Sequence, residues 1–547
     1  MKTTFTFLFL CSVFINISCD SMKTRADLII HNASIYTIDE DFSTVESLVV
    51  DRGKIIAAGD AAELSAKYKA REVFDAEGHY IYPGFYDAHC HFPGYGTGKL
   101  QRADLTGTRS FGEVLERVAA HASAGISEWV EGRGWDQNDW EVKEFPGREA
   151  LDSLFPDRPV MLIRIDGHAA LVNSEAMRRA DITAETAVTG GEIILENGIP
   201  TGILIDNAME LVRKHIPEND PQLLRAALLL AQKDCFAVGL TSVTDAGTDV
   251  SLIRLMDEMH RSGALKMKIN AMLNPGDPEY MDFMAAGVFK TERLHVNSVK
   301  LYADGALGSR GACLLEPYSD AAGKYGFIIY PESYYREVIG LAYKHGYQVN
   351  THAIGDSANR FMLDLYAGYL GGPNDRRWRI EHAQCVHEDD FDKFGRYNII
   401  PSIQSTHATS DMYWAGERIG PDRIRGAYAF KRLLDQNGWL PNGTDFPIEE
   451  ISPLLTFYAA VARKDLAGYP PGGFQPENAL SREEALRSIT TWAAKGSFEE
   501  NEKGMLAPGM AADMVILDKD LMTADADEIP GINVLYTFVN GELVYAR

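Results

Sequence analysis

His89 and His91 stand two apart in PGFYDAHCH, on a strand-like run, so both imidazoles leave the same face and can reach one metal ion. Further residues of ligand type recur in the same kind of place. Lys300 follows the alternating run VNSV in VKLYADGALGSRGA, His352 closes the strand in QVNTHAIGD, His382 closes WRIEH, and Asp445 lies in NGTDFP. Taken singly, each has an ordinary structural reading: a strand-end histidine, a salt-bridged lysine, a turn aspartate beside Gly443 and Pro447. Together they are a set of imidazoles and a carboxylate suited to zinc or a similar borderline divalent metal. A lysine buried at such a site has its amine pKa pulled down by desolvation and metal charge. The neutral amine can then take up carbon dioxide and become a carbamate, a bidentate oxygen ligand. An aspartate among metal ligands can also take a proton from metal-bound water and return it to a leaving amine. Asp87, two residues before His89, is a candidate to orient an imidazole or to cap the strand end.

Such residues need a frame that gathers strand ends. From residue 83 to 503 the chain alternates apolar β runs (PVMLIRIDG, GLTSVTDAG, KMKINAML, HVNSVKLYADG, YQVNTHAIGD, RWRIEHAQ, NIIPSIQS, LPNGTDFP) with helical stretches such as PQLLRAALLLAQKDCFAV. That alternation implies parallel strands with helical crossovers, and the number of repeats predicts a (β/α)8 TIM-type barrel, whose active sites sit at the C-terminal ends of the strands. A doubly wound sheet is the alternative topology, but no GxGxxG follows a strand to support dinucleotide binding. Residues 26–82 and 504–547 are rich in short β runs, and Asn540-Gly541 marks a two-residue hairpin. These two segments predict one small accessory β-sandwich built from both ends of the chain. Residues 131–213, with GGEIILENGIPTG as a hairpin, read as an insertion between early barrel units that can cover the site.

The 547 residues carry a formal net charge of −25 with 46% hydrophobic content, which describes a globular protein and argues against a phosphate backbone as partner. The expected partner is a small-molecule substrate, with a homodimer through barrel helices as a further expectation. Residues 1–18 hold a short apolar run after Met1-Lys2 and read as a signal peptide; Cys19 after Ser18 resembles a lipobox, although Asn16 stands where leucine is usual. The expectation is an exported bacterial protein, periplasmic or held at a membrane by a lipid anchor. Cys90, Cys235, Cys313 and Cys385 show no paired spacing and read as buried small residues.

PGFYDAHCH, DGHAALVNS, KLYADGALGSRGA, NTHAIGD, IEHAQ and GTDFP occur in this order, with ADMVILD near the end. The chain so resembles the amidohydrolase superfamily, and within it the amidohydrolase-3 group of YtcJ-like proteins and N-substituted formamide deformylases. The resemblance implies hydrolysis of a C–N bond in an amide, formamide or cyclic amide by a metal-bound hydroxide. It implies one or two divalent ions, zinc first, with His89 and His91 on the more buried metal and Lys300, carboxylated, as the bridge. His352 and His382 would hold the second metal, and Asp445 would ligate and act as base. It further implies that His168 donates to a carbonyl or oxyanion and that Arg310 clamps a substrate anion. Trp135 and His407 are candidates to line the pocket. Thr444 stands where the family commonly has serine, a change that keeps a hydroxyl. Deamination of a nucleobase-like ring and a non-catalytic surface binding lipoprotein are the alternative functions.

Overall fold

Apolar β runs joined by amphipathic helices fold as parallel strands with crossovers. In the computed structural model, which describes residues 23–125 and 127–547, they close into a barrel. Strands Phe85–Cys90, Leu240–Thr248, Lys268–Leu273, Leu294–Tyr302, Gln348–Ala353, Arg379–His382 and Ile400–Ser402 pair in that order, each parallel to the next. Residues 440–445 take the eighth place without forming a regular strand. The Gly443 N–H donates to Ile403 O at 3.0 Å, and on the other side the Asp445 N–H donates to His89 O at 2.8 Å. The ring is thereby closed, and the doubly wound alternative falls.

A single large apolar cluster that runs from Phe85 and Val243 through Leu301, Val349 and Ile380 to Leu440 and Leu486 packs the barrel strands against the surrounding helices, which join it through Val338, Ile339 and Met362. Helices Val250–Arg261, Glu332–His345 and Asp356–Leu370 are the crossovers after the second, fourth and fifth strands. Each buries one side and exposes the other, as helices around a barrel must.

Both ends of the chain build the accessory sandwich. One sheet, all N-terminal, is ordered Lys54–Gly59, Ser47–Asp51, Thr24–His31, Tyr68–Asp75; the other runs Glu542–Ala546, Val534–Val539, Met514–Leu517, Tyr80–Pro83, Ser34–Tyr36, Thr44–Val45. Ile30, Leu48 and Ile55 meet Ile81, Met514 and Phe538 in the core between them. Asn540 and Gly541 join the last two strands with φ of 50° and 73°, the left-handed pair that a tight hairpin turn demands. The sandwich meets the floor of the barrel, where Lys268, first in its strand, donates to Asp513 at 2.6 Å.

The inserted segment forms a six-stranded sheet, Gly191–Glu196, Ile199–Asp206, Ala169–Val172, Val160–Arg164, Val130–Trp135, Ala103–Asp104. It begins at Ala103, earlier than the 131–213 expected, because its first strand is two residues long and has no readable alternation. Val160–Arg164, which the sequence pattern places among barrel-type runs, belongs to this sheet. The sheet has apolar cores of its own on its two faces, one around Leu105, Trp135 and Leu162, the other around Met161, Ile163 and Leu204. No helix among the described residues is long and apolar enough to cross a membrane. The export signal at 1–18 and the lipobox residue Cys19 lie outside the described residues.

Candidate metal centre and active-site cleft

A cleft of about 460 Å³ opens where the inserted sheet faces the C-terminal ends of the barrel strands. It is lined by His91, His168, Lys300, His352, His382, His407 and Asp445. His89 lies beneath it, fully buried. Because barrel strands run parallel, their last residues converge on one rim, which is why histidines far apart in sequence meet here. The rings of His89 and His382 are 5.0 Å apart, those of His352 and His382 4.6 Å, and those of His168 and His352 4.8 Å.

Asp445 is the centre of this group. Its Oδ1 lies 3.4 Å from Nε2 of His91 and 3.6 Å from Nε2 of His89, and it receives no hydrogen bond although it is buried. Its Oδ2 lies 3.3 Å from His407 Nε2. Burial pushes this carboxyl up, but the hydrogen bond from His407 and the imidazoles of His91, His89 and His382 around it hold it well below the usual carboxylate range. The backbone is in the left-handed region at His382 (φ 71°) and Asp445 (φ 63°), a cost that non-glycine residues bear mainly at functional sites.

His89 is oriented from behind. Its Nδ1 lies 2.5 Å from Glu381 Oε2, and Arg379 Nε donates to the other oxygen of that carboxylate at 2.6 Å. All three side chains are fully buried. Nε2 is thereby turned toward the cleft, 3.1 Å from Lys300 Nζ. Burial, with the lysine beside it, brings the His89 imidazole down to about 4, and burial brings the Lys300 amine down to about 8. His352 and His382 are likewise held well below the ordinary imidazole value, by burial first and by neighbouring positive groups second. Neutral imidazoles, a carboxylate with an orphaned oxygen and a lowered amine are the donor set a divalent metal takes. Atoms of His89, His91 and Asp445 that can ligate lie within 4.8 Å of one another, as do those of His382, His407 and Asp445. The residues fit a divalent metal.

His407 differs from the other histidines. Its Nδ1 is 3.0 Å from Glu449 and its Nε2 faces Asp445, and these two carboxylates raise it well above the ordinary value against the pull of burial. Set between these two carboxylates, it braces Asp445 through Nε2 at 3.3 Å. His168 is paired through Nδ1 with Asp206 at 2.6 Å; burial opposes its proton, but this bond outweighs burial and keeps it. Asp87 accepts from the His89 N–H at 3.0 Å and the Thr444 hydroxyl at 2.6 Å, so it ties the first strand to the eighth segment and does not touch an imidazole.

Two expectations are corrected. Arg310 does not line the cleft: its guanidinium is bound to Asp320 at 2.8 Å, a carboxylate that also takes Arg418. Trp135 is 1% exposed in the core of the inserted sheet, where its indole N–H donates to Leu162 O at 2.8 Å; Trp414 lines the cleft instead. Sequence reasoning did not single out Glu381, Arg379, Glu449 or Arg133. The first two had a signal: alternation along RIEH puts Arg379 and Glu381 on one face, opposite His382 and toward the barrel interior. Glu449 and Arg133 reach the cleft through loop and sheet geometry that no local pattern announces.

With this geometry in view, the likenesses to known proteins fall into place. The model of the amidohydrolase family matches residues 72–545, and the chain belongs to that family. Over 527 residues it is 30% identical to the putative amidohydrolase YtcJ of Bacillus subtilis (strain 168), covering 94% of this chain and 99% of that one. It is 27% identical over 552 residues to the N-substituted formamide deformylase of Arthrobacter pascens, covering 96% and 99%. An uncharacterized metal-dependent hydrolase from Pyrococcus horikoshii OT3 superposes with a TM-score of 0.74 at 30% identity, over 91% of this chain and 99% of that one. The chain is a hydrolase of the amidohydrolase superfamily.

Proposed function

We propose that the protein hydrolyses a C–N bond in a small amide, formamide or cyclic amide, using a divalent metal, zinc first, held by His89, His91, His352, His382 and Asp445. The orphaned Oδ1 of Asp445 between two imidazole Nε2 atoms is the observation that carries this reading. A metal in this place supplies Lewis acidity and lowers the pKa of water. Lys300 would offer a further oxygen ligand: its buried amine, lowered to about 8, can add carbon dioxide with loss of a proton to give the carbamate.

The rest is done by the chain's own groups. Asp445, kept ionised, takes one proton from the attacking water as its oxygen bonds to the carbonyl carbon, then delivers it to the nitrogen as the C–N bond breaks. His168 carries a proton on the cleft wall and serves as donor to the oxygen that gains negative charge. Glu381 and Arg379 fix the ring of His89, and His407 fixes the carboxylate of Asp445. The inserted sheet forms one wall of the cleft.

The test is metal content per chain and turnover of an amide and formamide panel, with Lys300→Ala and Asp445→Asn beside the wild type. Lys300→Ala should lose one or both ions. Asp445→Asn should fold, yet turn over at least about a hundredfold more slowly. Wild-type activity in Asp445→Asn would remove the assigned role, and ammonia released from an aminated ring would move the reading to deamination.

A further inference from the structure

Three arginines line the cleft, Arg102, Arg133 and Arg164, and their partners differ. Arg164 is fully committed: Nε donates to Gln137 at 2.8 Å, and the two terminal nitrogens to Asp166 and Asp136. Arg102 is paired with Glu131 at 3.2 Å. Arg133 has no carboxylate within salt-bridge distance among the described residues. Its protein bond is from NH2 to the carbonyl of Ile165 at 3.2 Å, and its buried Nε has no partner. Lys99 also reaches the cleft, but it is exposed and solvated.

A register shift between Arg133 and Trp135 puts the tryptophan into the sheet's core and leaves Arg133 on the other face with Glu131. Bulges beside active sites commonly re-aim a side chain in this way. The guanidinium end packs on Gly167, where any Cβ would come within 3.2 Å of NH2. Gly167 precedes His168, whose ring lies 4.8 Å from that of His352. An anion on Arg133 would therefore sit beside the metal centre, on the wall that faces it. Burial, with Arg102 nearby, lowers this guanidinium only to about 10, so it is a full cation at neutral pH. The side chain is partly buried, and Asp166 and Asp445 favour its charge only from beyond salt-bridge distance, so donors of this cation remain free to take a further anion.

We propose that Arg133 receives a carboxylate carried by the substrate, so that the enzyme acts on amides of acidic small molecules. This deepens the hydrolase reading and rests on it for the word substrate; the carboxylate site itself does not depend on turnover. A planar guanidinium offers two parallel N–H donors to such a group, which neither Lys99 nor the committed arginines can do here. Ile165, Leu307 and Trp414 on the cleft wall suit an apolar body attached to that carboxylate.

Two arms separate the readings. In calorimetry on the metal-loaded enzyme, 4-methylpentanoate should bind at least about tenfold more tightly than 4-methyl-1-pentanol, neither having a C–N bond to cleave. Arg133→Met should abolish that preference, and Arg133→Lys should keep part of it, with metal content and circular dichroism as wild type in both. A preference that survives in Arg133→Met places the carboxylate on the metal and overturns the proposal, as does equal binding of the two probes by the wild type. In the turnover arm, the wild type should favour N-acetyl-L-leucine over N-acetyl-L-leucinamide in kcat/KM and Arg133→Met should not. If no amide is turned over, the amide-hydrolysis reading fails while the binding arm still decides the role of Arg133.

Discussion

At the scale of residues, the candidate metal centre is oriented by groups behind its first row of side chains. Glu381 lies between Arg379 and His89 and is buried with both. Burial pushes its carboxyl up, yet Arg379 and His89 hold it well below the usual range, so it remains a carboxylate and accepts the Nδ1 proton of His89. Glu381→Gln should weaken metal binding about 10- to 100-fold, read by chelator competition. It should also destabilise the metal-free protein by about 3–5 kcal/mol in denaturant unfolding, because Arg379 is left as an uncompensated buried charge. Metal affinity unchanged by this substitution would show that His89 needs no such support. A second buried carboxylate, Glu499 at the barrel floor, tests the acid limb of stability. Burial pushes it up, but Lys503, 3.0 Å away, and His295 bring it to about 2. A folded pKa below the unfolded value stabilises the fold above about pH 4.5, and that contribution is lost as pH falls toward 2. Wild type and Glu499→Gln should differ by about 3 kcal/mol in unfolding free energy near neutrality, and the gap should narrow below about pH 4.5. A gap that stays constant into acid would dismiss the linkage.

At the scale of elements, the eighth barrel position is the most demanding piece of chain. A Cβ at Gly443 would lie 2.4 Å from the His89 N–H nitrogen and 2.6 Å from Asp87 Oδ1, so only glycine lets this segment approach the first strand. Gly443→Ala should push Asp445 away from His89, costing about 1–3 kcal/mol of stability and part of the bound metal, measurable by thermal unfolding and metal analysis of one preparation. The convergence of the candidate ligands on one rim was legible in the sequence because strand ends announce themselves: His352 and His382 each follow an alternating apolar run, and His89 and His91 lie two apart at the end of another. The wall of the cleft was not. Two conspicuous residues, Arg310 and Trp135, turned out to be committed to Asp320 and to the core, whereas Arg133, two positions from the tryptophan, reaches the cleft. The register shift that separates them follows from pairing with Val160–Arg164, a long-range contact with no local mark.

At the scale of the whole molecule, the barrel has two faces with different duties. At its floor, Lys268 and Asp513 are both nearly buried and join the barrel to the accessory sandwich. Lys268→Ala should destabilise the protein by about 3–5 kcal/mol, since Asp513 is left without its counter-charge, and unfolding should show it with no change in metal stoichiometry. The two-ended sandwich was readable from its β-rich texture and the Asn540-Gly541 turn, but the division of its strands between two sheets was not, since the second sheet is joined by Tyr80–Pro83 pairing with Met514–Leu517 from the other end of the chain.

The inserted sheet keeps apolar cores separate from the barrel's, yet it supplies His168 and Arg133 to the same cleft. Mutations that reshape its rim are therefore paid for within the sheet and leave the metal ligands where they are. Descent within such a lineage can exchange one substrate for another through residues 103–206 while the reaction is inherited intact, and a laboratory selection for new substrates would do well to begin there.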